Sequence, residues 1–460
     1  MMVMMRASTT WLVLLVLLAF AWLGLPAWPA DGAPDLQRWM VYLDGLYLSG
    51  YLAIGLMSVA MVLALRMPWL ERWVGGLDRA YRLHKSLAQW GVGLALFHYG
   101  LRLVVKELRG SGLMVKPKGL ASQAVEALRP FHGTAKDWAE WALYLAVALV
   151  VVALWRRVPY RWFARLHRLL PATYLVMVYH SVVFLPQGYW QGLGWPAAGL
   201  IMALMLFGSV AALMSLFGRV GLRRRVAGEV LEVKQLALDV LELRLKLAPG
   251  WPGHESGQFG LATFDSREGA HPFTIASSWK GDGELRFAIK ALGDYTRNLP
   301  TLLKAGDAAW VEGPYGRFVF ADGKPRQIWV GGGIGMTPFL ARMQELAQLR
   351  EAASSASPTA EAPALLAQQV DLFYCTRKGD PDITRRIAEL AAAAGVNLHV
   401  LESTTQGQLS VERLMAMSPQ WREASLWFCG PARFGQALRE GLLAGGLAAG
   451  DFHQEAFEFR

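Results

Sequence analysis

Cysteine is nearly absent from this chain. Of its 460 residues only Cys375 and Cys429 are cysteines, and they lie far apart in the second half of the sequence. Two isolated thiols do not form a disulfide framework, and they lack the number and spacing of a thiolate metal site. The sequence therefore supports neither a cysteine-stapled fold nor a metal centre held by thiolates.

Charge is also scarce, at 18% of residues against 54% hydrophobic residues. A typical soluble domain carries about 25% charged residues, so this composition indicates a membrane protein with a soluble part attached. The net charge of +10 is compatible with nucleic-acid binding, but many basic residues lie beside apolar segments, where membrane topology explains them. We therefore expect no nucleic-acid partner.

Six apolar stretches have about the length that a helix needs to cross a bilayer. We predict spans at 10–27, 47–66, 87–106, 138–155, 168–186 and 194–217. Basic residues cluster in the connections 66–85 and 156–168 and at the exit 219–225, which places these segments on the cytoplasmic side. The connection 107–137 is also basic, but it is long and mixed in charge, and we expect it to form a cap on the outer side.

The first apolar stretch has two interpretations. Residues 11–25 follow Arg6 as a short apolar run, as a signal peptide would, with cleavage after Ala30. Trp28 would then occupy a position where a small residue is preferred, so we favour an uncleaved helix. In both cases the chain leaves its last span on the cytoplasmic side, where nicotinamide nucleotides are available.

After Arg225 the pattern changes to short apolar runs separated by turns. Strands are predicted at 228–233, 240–245, 327–330, 370–375 and 426–428. The first two alternate in polarity and indicate a small antiparallel β-domain, whereas the later ones alternate with helices and indicate an α/β nucleotide-binding domain. Residues 351–369, rich in Ala, Ser and Pro, are expected to be a flexible surface insertion.

Four histidines lie in or at the ends of two apolar spans. They are His84 and His98 on the third span, and His167 and His180 on the fifth. Each separation is about 20 Å along a helix, so each helix offers one imidazole near each membrane face. Two neutral imidazoles saturate a heme iron. We predict that His84 and His167 hold an inner heme, and that His98 and His180 hold an outer heme.

The helical periodicity fits the third span better than the fifth. The histidines of the third span share a helix face, whereas thirteen residues place His167 and His180 on different faces. Pro171 lies between them, so we expect a bend in that helix or hemes approached from different flanks. The alternative, isolated polar residues held by neighbouring helices, suits a single histidine better than four paired by depth. His132 has no such partner and is expected to be a loop residue.

Several short motifs follow in the soluble half. They are His271-Pro-Phe-Thr274, Glu312-Gly-Pro-Tyr-Gly316, Gly331-Gly-Gly-Ile-Gly-Met-Thr-Pro338, Cys429-Gly-Pro431 and an aromatic C-terminus. Together with the histidine pairs they resemble the NADPH oxidase and ferric reductase superfamily, which joins a six-helix heme domain to a ferredoxin–NADP reductase-like module. The resemblance implies an all-α membrane bundle of six helices at 1–219, a β-barrel FAD domain at 220–323 and an α/β nucleotide-binding domain at 324–460.

The resemblance assigns the first of these motifs to FAD. The residues that would contact the flavin are His271, Pro272, Phe273 and Thr274. A flavin needs an apolar wall for its rings and a few fixed polar groups, and this tetrapeptide supplies both. Residues 288–296 resemble the segment near the FAD diphosphate. There Lys290, Gly293 and Thr296 would offer a cation, a close backbone approach and a hydroxyl, with a solvated Lys290 as the alternative.

The glycine run predicts a dinucleotide site, although it is not the Gly-x-Gly-x-x-Gly fingerprint. It follows an apolar strand and opens a helix, so its N–H groups and the positive helix end face an anionic diphosphate. The residues assigned to this site are Gly331, Gly332, Gly333, Gly335, Thr337 and Pro338. Cys429, Gly430 and Pro431 resemble the family's wall beside the nicotinamide, with a buried structural cysteine as the alternative. Arg377 and Lys378 suit the 2′-phosphate of NADPH, which we favour slightly over NADH.

The resemblance also gives the aromatic C-terminus a role. Phe457, with Phe459 as second choice, would stack over the flavin and be displaced by the nicotinamide. The alternative is an apolar clamp that does not touch the flavin.

These features together predict a transmembrane flavocytochrome in a bacterial inner membrane. A nicotinamide gives two electrons as hydride and a heme accepts one, so a flavin must stand between them. The expected cofactors are FAD, two b-type hemes and NADPH or NADH, and membrane lipid surrounds the spans. The outer acceptor stays open between a ferric chelate, O₂ reduced to superoxide, and a periplasmic protein or quinone. Arg102 is either part of that acceptor site or a snorkelling anchor.

A function of another class fits the same histidines. In a transporter or proton channel they would relay protons, and the soluble module would act as a flavin redox sensor. Heme content distinguishes the two, because only the flavocytochrome requires heme.

Overall fold

The structure is a computed structural model that describes residues 2–25, 34–117, 125–155, 157–237, 239–354 and 365–455. The chain divides into two compact units. The first runs from Met1 to Gly221, and the second from Leu222 to Glu458.

The first unit is built from helices. They are α1 (Met2–Leu23), α2 (Pro34–Leu63), α3 (Pro68–Val74), α4 (Leu77–Gly110), α5 (His132–Leu154), α6 (Tyr160–His167), α7 (Leu170–Phe184) and α8 (Trp195–Leu216). Helix α2 packs against α1, α4 and α8, while α5 packs against α7. Small residues such as Gly91 allow close packing, since a Cβ at this position would lie 2.8 Å from the Met57 side chain on α2.

Each predicted span overlaps one of the longer helices, but not all six are equally suited to a bilayer. Among the described residues, three helical stretches are long and apolar enough to cross, Pro34–Leu63, Glu126–Leu154 and Gly192–Leu216. Helix α4 carries many charges, α7 has only 15 residues, and the apolar part of α1 is shorter than a full span. Large apolar side chains on α5 and α8 are exposed, as a lipid-facing surface requires: Trp141 is 75% exposed and Phe207 62%. The candidate cleavage site at Ala30 lies outside the described residues.

The second unit contains an antiparallel sheet of six strands. They are β1 (Arg225–Ala237), β2 (Val240–Leu247), β3 (Phe259–Thr263), β4 (His271–Thr274), β5 (Glu284–Lys290) and β6 (Ala308–Tyr315), in the order β4-β3-β6-β1-β2-β5. Alternating residues of β2 are buried, which is the pattern of a sheet with one face on a core. Helix α9 (Asp294–Leu302) follows β5 and buries Leu299 in that core.

A five-stranded parallel sheet follows. Its strands are β7 (Arg326–Gly332), β8 (Gln369–Thr376), β9 (Asn397–Glu402), β10 (Ser425–Cys429) and β11 (Phe452–Gln454), in the order β11-β10-β7-β8-β9. The helices between them are α10 (Thr337–Ser354), α11 (Pro381–Ala394), α12 (Ser403–Gln406), α13 (Val411–Met417) and α14 (Ala432–Ala444). The strand order reverses between β7 and β10, and open α/β sheets bind ligands at such a reversal, beyond the carboxyl ends of the strands. Of the predicted insertion, residues 355–364 lie outside the described part of the chain.

Candidate functional site

The inner histidine pair is brought together by α4 and α6. The ring centres of His84 and His167 lie 6.2 Å apart, with an angle of 66° between the ring planes. The Nδ1 atom of His84 donates to the carbonyl oxygen of Ala60 on α2 at 2.7 Å. This bond fixes the ring and leaves its Nε2 lone pair directed away from α2.

The outer pair repeats this arrangement between α4 and α7. The ring centres of His98 and His180 are also 6.2 Å apart, and the planes are nearly perpendicular at 89°. His98 donates from Nδ1 to Leu46 O at 2.9 Å, and His180 donates from Nδ1 to Ala135 O at 3.1 Å. Both predicted pairs therefore face each other, and three of the four rings have Nδ1 held by a backbone carbonyl.

The expectation that His167 and His180 share one helix is wrong. His167 is the last residue of α6, and α7 begins only at Leu170 with Pro171 in its first turn. Proline lacks an N–H and disfavours helical geometry in the preceding residue, so it starts a helix more readily than it continues one. The break at 168–169 removes the conflict in periodicity, because the two histidines no longer follow one helical repeat.

His132 also differs from its expected place, because it begins α5 instead of lying in a loop. Its ring centre is 4.7 Å from that of Phe184, and the Phe184 ring lies 4.8 Å from that of His180. The Phe184 ring therefore lies between His132 and the outer pair.

A cavity of 1170 Å³ opens beside the outer pair. Its cationic lining residues are Arg102, Lys106, Arg109, Lys116 and Lys136. One carboxylate, that of Glu140, lines it too; it accepts hydrogen bonds from Tyr99 and Tyr144 at 2.8 and 2.9 Å and forms an ion pair with Arg102 at 3.4 Å. The lining of this cavity is therefore strongly positive.

The residues assigned to the flavin lie on β4, an edge strand in the order of the antiparallel sheet. Thr274 is buried, whereas His271, Pro272 and Phe273 are half-buried. The ring of His271 stacks on Tyr295 at 4.6 Å, so an aromatic surface continues from β4 to α9. Burial lowers the pKa of His271 to about 4, which leaves the imidazole neutral at pH 7.

The three residues assigned to the FAD diphosphate are close together but already have local contacts. Lys290, the last residue of β5, pairs with Asp239 at 3.2 Å between Nζ and Oδ2. The Thr296 hydroxyl accepts from the backbone N–H of Gly293 at 3.0 Å, at the start of α9. In this arrangement Thr296 stabilises the β5–α9 turn, whereas Lys290 ties the end of β5 to the β1–β2 connection. A diphosphate would have to compete with Asp239 for the ammonium group.

The glycine run and the Cys429 motif meet at the strand-order reversal. Cys429 pairs with Gly331 across β10 and β7. A Cβ at Gly335 would lie 2.1 Å from the carbonyl oxygen of Cys429, and one at Gly332 would lie 2.9 Å from Pro431. Only glycine permits this approach, and Thr337 and Pro338 then begin α10, as predicted.

The Cys429 side chain is completely buried behind these glycines. Burial, followed by the charge of the Glu455 carboxylate, raises the pKa of its thiol well above the usual value. Cys429 is therefore a neutral wall and does not act as a thiolate. Arg377 and Lys378 follow β8, the neighbour of β7, and both side chains are exposed at the same edge of the sheet.

Phe457 and Phe459 lie outside the described residues. Glu455 lies just before them, was not predicted from the sequence and is only 6% exposed. A Cβ at Gly316, the last residue of the Glu312–Gly316 motif and the first after β6, would lie 3.2 Å from the Oε1 atom of Glu455. Its burial could not be predicted from the sequence, because a Glu side chain is usually exposed and only the tertiary fold determines which one is buried.

Comparison with known proteins identifies both halves of the chain. Residues 49–178 match the family described as "Ferric reductase like transmembrane component", and residues 225–319 match the "FAD-binding domain". The chain thus joins a ferric reductase-like transmembrane component to an FAD-binding module, which confirms the resemblance drawn from its motifs. These two matches define the class that the chain resembles, a ferric reductase-like membrane component combined with an FAD-binding module.

Several curated proteins share part of the chain. An "NADPH oxidoreductase" of Mycobacterium tuberculosis is 28% identical over 221 residues, 45% of this chain and 54% of that protein. The reductase component of propane 2-monooxygenase of Mycolicibacterium goodii is 31% identical over 125 residues, 26% of this chain and 36% of that protein. "Respiratory burst oxidase homolog protein E" of Arabidopsis thaliana is 26% identical over 215 residues, 39% of this chain and 21% of that protein. The chain spans about half or less of the length of these relatives.

Proposed function

We propose that this protein is an NAD(P)H oxidoreductase of the ferric reductase and NADPH oxidase type. It carries electrons from cytoplasmic NAD(P)H through FAD and two b-type hemes to an acceptor on the outer side of the membrane. The observation that carries the proposal is the pair of facing imidazoles at each of two levels of α4.

The separation of the rings fits a shared metal ion. Two imidazoles that each bind one ion at about 2 Å have ring centres about 6 Å apart when the ion lies between them. Both pairs measure 6.2 Å between ring centres. His84, His98 and His180 also have the outer hydrogen bond that orients a metal-binding imidazole, with Nδ1 on a carbonyl and Nε2 left for the ion. These residues fit a bis-histidine heme at each level.

The same hydrogen bonds disfavour a proton relay. A relay needs groups that both accept and donate protons along a chain, and a backbone carbonyl only accepts. The Nδ1 atoms of His84 and His98 donate to the backbone carbonyls of Ala60 and Leu46, which cannot pass a proton on. Heme ligation uses such bonds, whereas proton conduction would be stopped by them.

The proposal includes three further assignments, which are the domain bounds, a closed β-barrel and the number of membrane-crossing helices. We assign residues 1–219, 220–323 and 324–460 to the heme, FAD and NAD(P) domains, in line with the division of the chain at 221 and with two separate sheets. The isolated bridge between Ile275 and Phe287 joins the end of β4 to β5, the two outermost strands of the first sheet, which supports a closed β-barrel. Six membrane-crossing helices remain part of the proposal.

Each cofactor would supply chemistry that the side chains lack: FAD would exchange hydride for single electrons, and heme would pass those electrons on. His271, Pro272, Phe273 and Thr274 would hold the flavin. The glycine turn with Cys429 would leave room for the nicotinamide nucleotide at the carboxyl edge of β7 and β10. Arg377 and Lys378 favour NADPH over NADH, and the similar Mycobacterium tuberculosis protein is an NADPH oxidoreductase. Phe457 or Phe459 would cover the flavin until the nicotinamide arrives.

The charge of the outer cavity favours an anionic ferric chelate over O₂. Five cations and one carboxylate line the cavity. Two heme propionates would offset part of this charge, and the remainder would attract a chelate such as ferric citrate, while uncharged O₂ gains nothing from it. Arg102 is then part of the acceptor site.

Anaerobic electron transfer in liposomes tests the proposal. We expect purified protein to contain two hemes, and NADPH to reduce both of them. Ferric citrate added afterwards should reoxidise the heme faster than an equal concentration of hexaammineruthenium(III), a cationic acceptor. Protein without heme would exclude electron conduction and would support the relay. Equal rates with both acceptors would exclude the anionic site.

A further inference from the structure

Helix α6 has two faces of opposite character. Phe163 and His167 are four residues apart and share one face, where their ring centres lie 5.2 Å apart and His167 faces His84. Arg161 and Arg165 are also four residues apart, but they occupy the opposite face and are exposed. One short helix therefore carries a candidate heme ligand on one side and bare guanidinium groups on the other.

The positive charge around this helix has no local compensation. No Asp or Glu occurs between residues 155 and 170. The arginines of the segment whose side chains the structure describes are Arg157, Arg161, Arg165 and Arg168, and all four are exposed. Within the described part of the chain, none of the four forms an ion pair with a carboxylate, and Arg165 instead lies over the Trp162 ring at 5.4 Å.

Exposed tryptophans surround the same end of the helical unit. Trp162 on α6 is 47% exposed. Two residues separate the end of α3 from the start of α4, the helix that carries His84, and Trp69 and Trp73 on α3 are 57% and 81% exposed. Tryptophan interleaved with arginine is typical of a surface at the level of lipid headgroups, since the indole prefers the interface and arginine binds phosphate.

We propose that α6 lies along the inner membrane surface and binds the headgroups of anionic phospholipids through Arg157, Arg161, Arg165 and Arg168. The helix stands between two apolar helices, since α5 ends at Leu154 and α7 begins at Leu170, so its position coincides with the end of the membrane spans. Juxtamembrane arginine clusters attract acidic lipids in this way. The proposal rests on the proposed function for the orientation of the chain and for the role of His167.

Lipid binding at this helix has a consequence for electron transfer. The phosphates would compensate the positive charges of the four arginines, of which Arg161 and Arg165 lie on the face of α6 opposite His167. In a neutral bilayer those charges stay uncompensated, and they favour the reduced state of a nearby iron. We therefore expect anionic lipid to lower the midpoint potential of the inner heme and to leave the outer heme, more than a dozen residues away along α4, nearly unchanged.

Full-length protein in detergent, titrated with short-chain phosphatidylglycerol, tests this inference. We expect the inner-heme potential to fall with added lipid. In the double variant Arg161→Gln/Arg165→Gln the lipid concentration needed should rise by about fivefold for each arginine removed. The matched control is Arg38→Gln/Arg129→Gln, which removes two exposed arginines on the predicted outer side and should respond like the unmodified protein. Glycerol phosphate, a headgroup without acyl chains, should have no effect.

Phosphatidylglycerol retained through purification, counted by native mass spectrometry, gives a second readout that needs no heme. We expect retention by the unmodified protein and loss in the Arg161→Gln/Arg165→Gln variant. The lipid site would be overturned if the unmodified protein and the Arg161→Gln/Arg165→Gln variant retained equal amounts of lipid. It would also be overturned if glycerol phosphate lowered the potential as much as phosphatidylglycerol does. Protein that lacks heme but loses lipid in this variant would refute the proposed function and leave the lipid site standing.

Discussion

At the scale of single residues, His98 gives the most direct test of the outer heme. Replacing it in His98→Leu removes one of the two proposed ligands of that heme, and leucine cannot bind iron. We expect the heme content to fall from about two per chain to about one, while flavin reduction by NADPH continues at an unchanged rate. Quantitative heme extraction and stopped-flow flavin absorbance measure the two effects.

His132→Leu is the matched control for that variant, because His132 packs on Phe184 behind the outer pair without facing either partner. It should keep both hemes. Loss of flavin reduction in His98→Leu, or equal heme loss in the control, would contradict the assigned ligands.

His271 makes the stability of the reductase unit depend on pH. Burial lowers its pKa to about 4 in the folded protein, below the ordinary value of 6.5. The unfolded chain therefore binds the proton first, so the contribution is intact above pH 6.5 and is lost as the pH falls towards 4. Within that window one proton changes the folding equilibrium by up to about tenfold per pH unit.

Thermal unfolding at pH 6.5 and 5 compares the protein with His271→Gln, which cannot titrate. We expect the variant to lose less stability over this interval than the unmodified protein. Parallel losses in both would mean that other groups, such as carboxylates, account for the whole dependence.

At the scale of secondary structure, the break between α6 and α7 sets the position of His167. In Pro171→Ala the barrier to one continuous helix is removed. A continuous helix would turn His167 away from His84, so we expect reduced inner-heme occupancy with the outer heme retained. Electron paramagnetic resonance distinguishes the two low-spin hemes, and potentiometry confirms which one is lost.

Pro196→Ala provides the control, because Pro196 occupies the same position in the first turn of α8. That helix carries no histidine, so both hemes should remain. If Pro171→Ala keeps a full inner heme, the proline does not determine where His167 points.

The sequence predicted some elements well because their signals are local. The spacing of His84 and His98 on one helix depends only on the rise per residue, and the structure places the ring centres of each predicted pair 6.2 Å apart. The split after His167 was not predicted, since Leu169 and Leu170 extend the apolar run and hydropathy does not register a helix end. The contacts of Lys290 with Asp239, and the burial of Glu455, depend on the tertiary fold and have no local pattern.

At the scale of the whole molecule, the division into two compact units predicts that the reductase works without the helices. A fragment of residues 222–460 should fold, bind FAD and reduce ferricyanide with NADPH, because both sheets and their cores lie within it. It should contain no heme and should not reduce acceptors across a membrane. Visible absorbance of the purified fragment, together with steady-state ferricyanide reduction, measures these properties. A fragment that aggregates unless the helices are present would show that the two units depend on each other for folding.

Helix α2 supplies the acceptors for both histidines of α4, because His84 donates to the Ala60 carbonyl and His98 donates to the Leu46 carbonyl. The two carbonyls are separated along α2 by the same number of residues as the two rings along α4. The antiparallel helices therefore align both donor–acceptor pairs in one register. A slide of one helix past the other would weaken both bonds simultaneously and make both imidazoles poorer electron donors. In the proposed flavocytochrome the potentials of both hemes would then shift in the same direction, so the difference between them would change less than either potential.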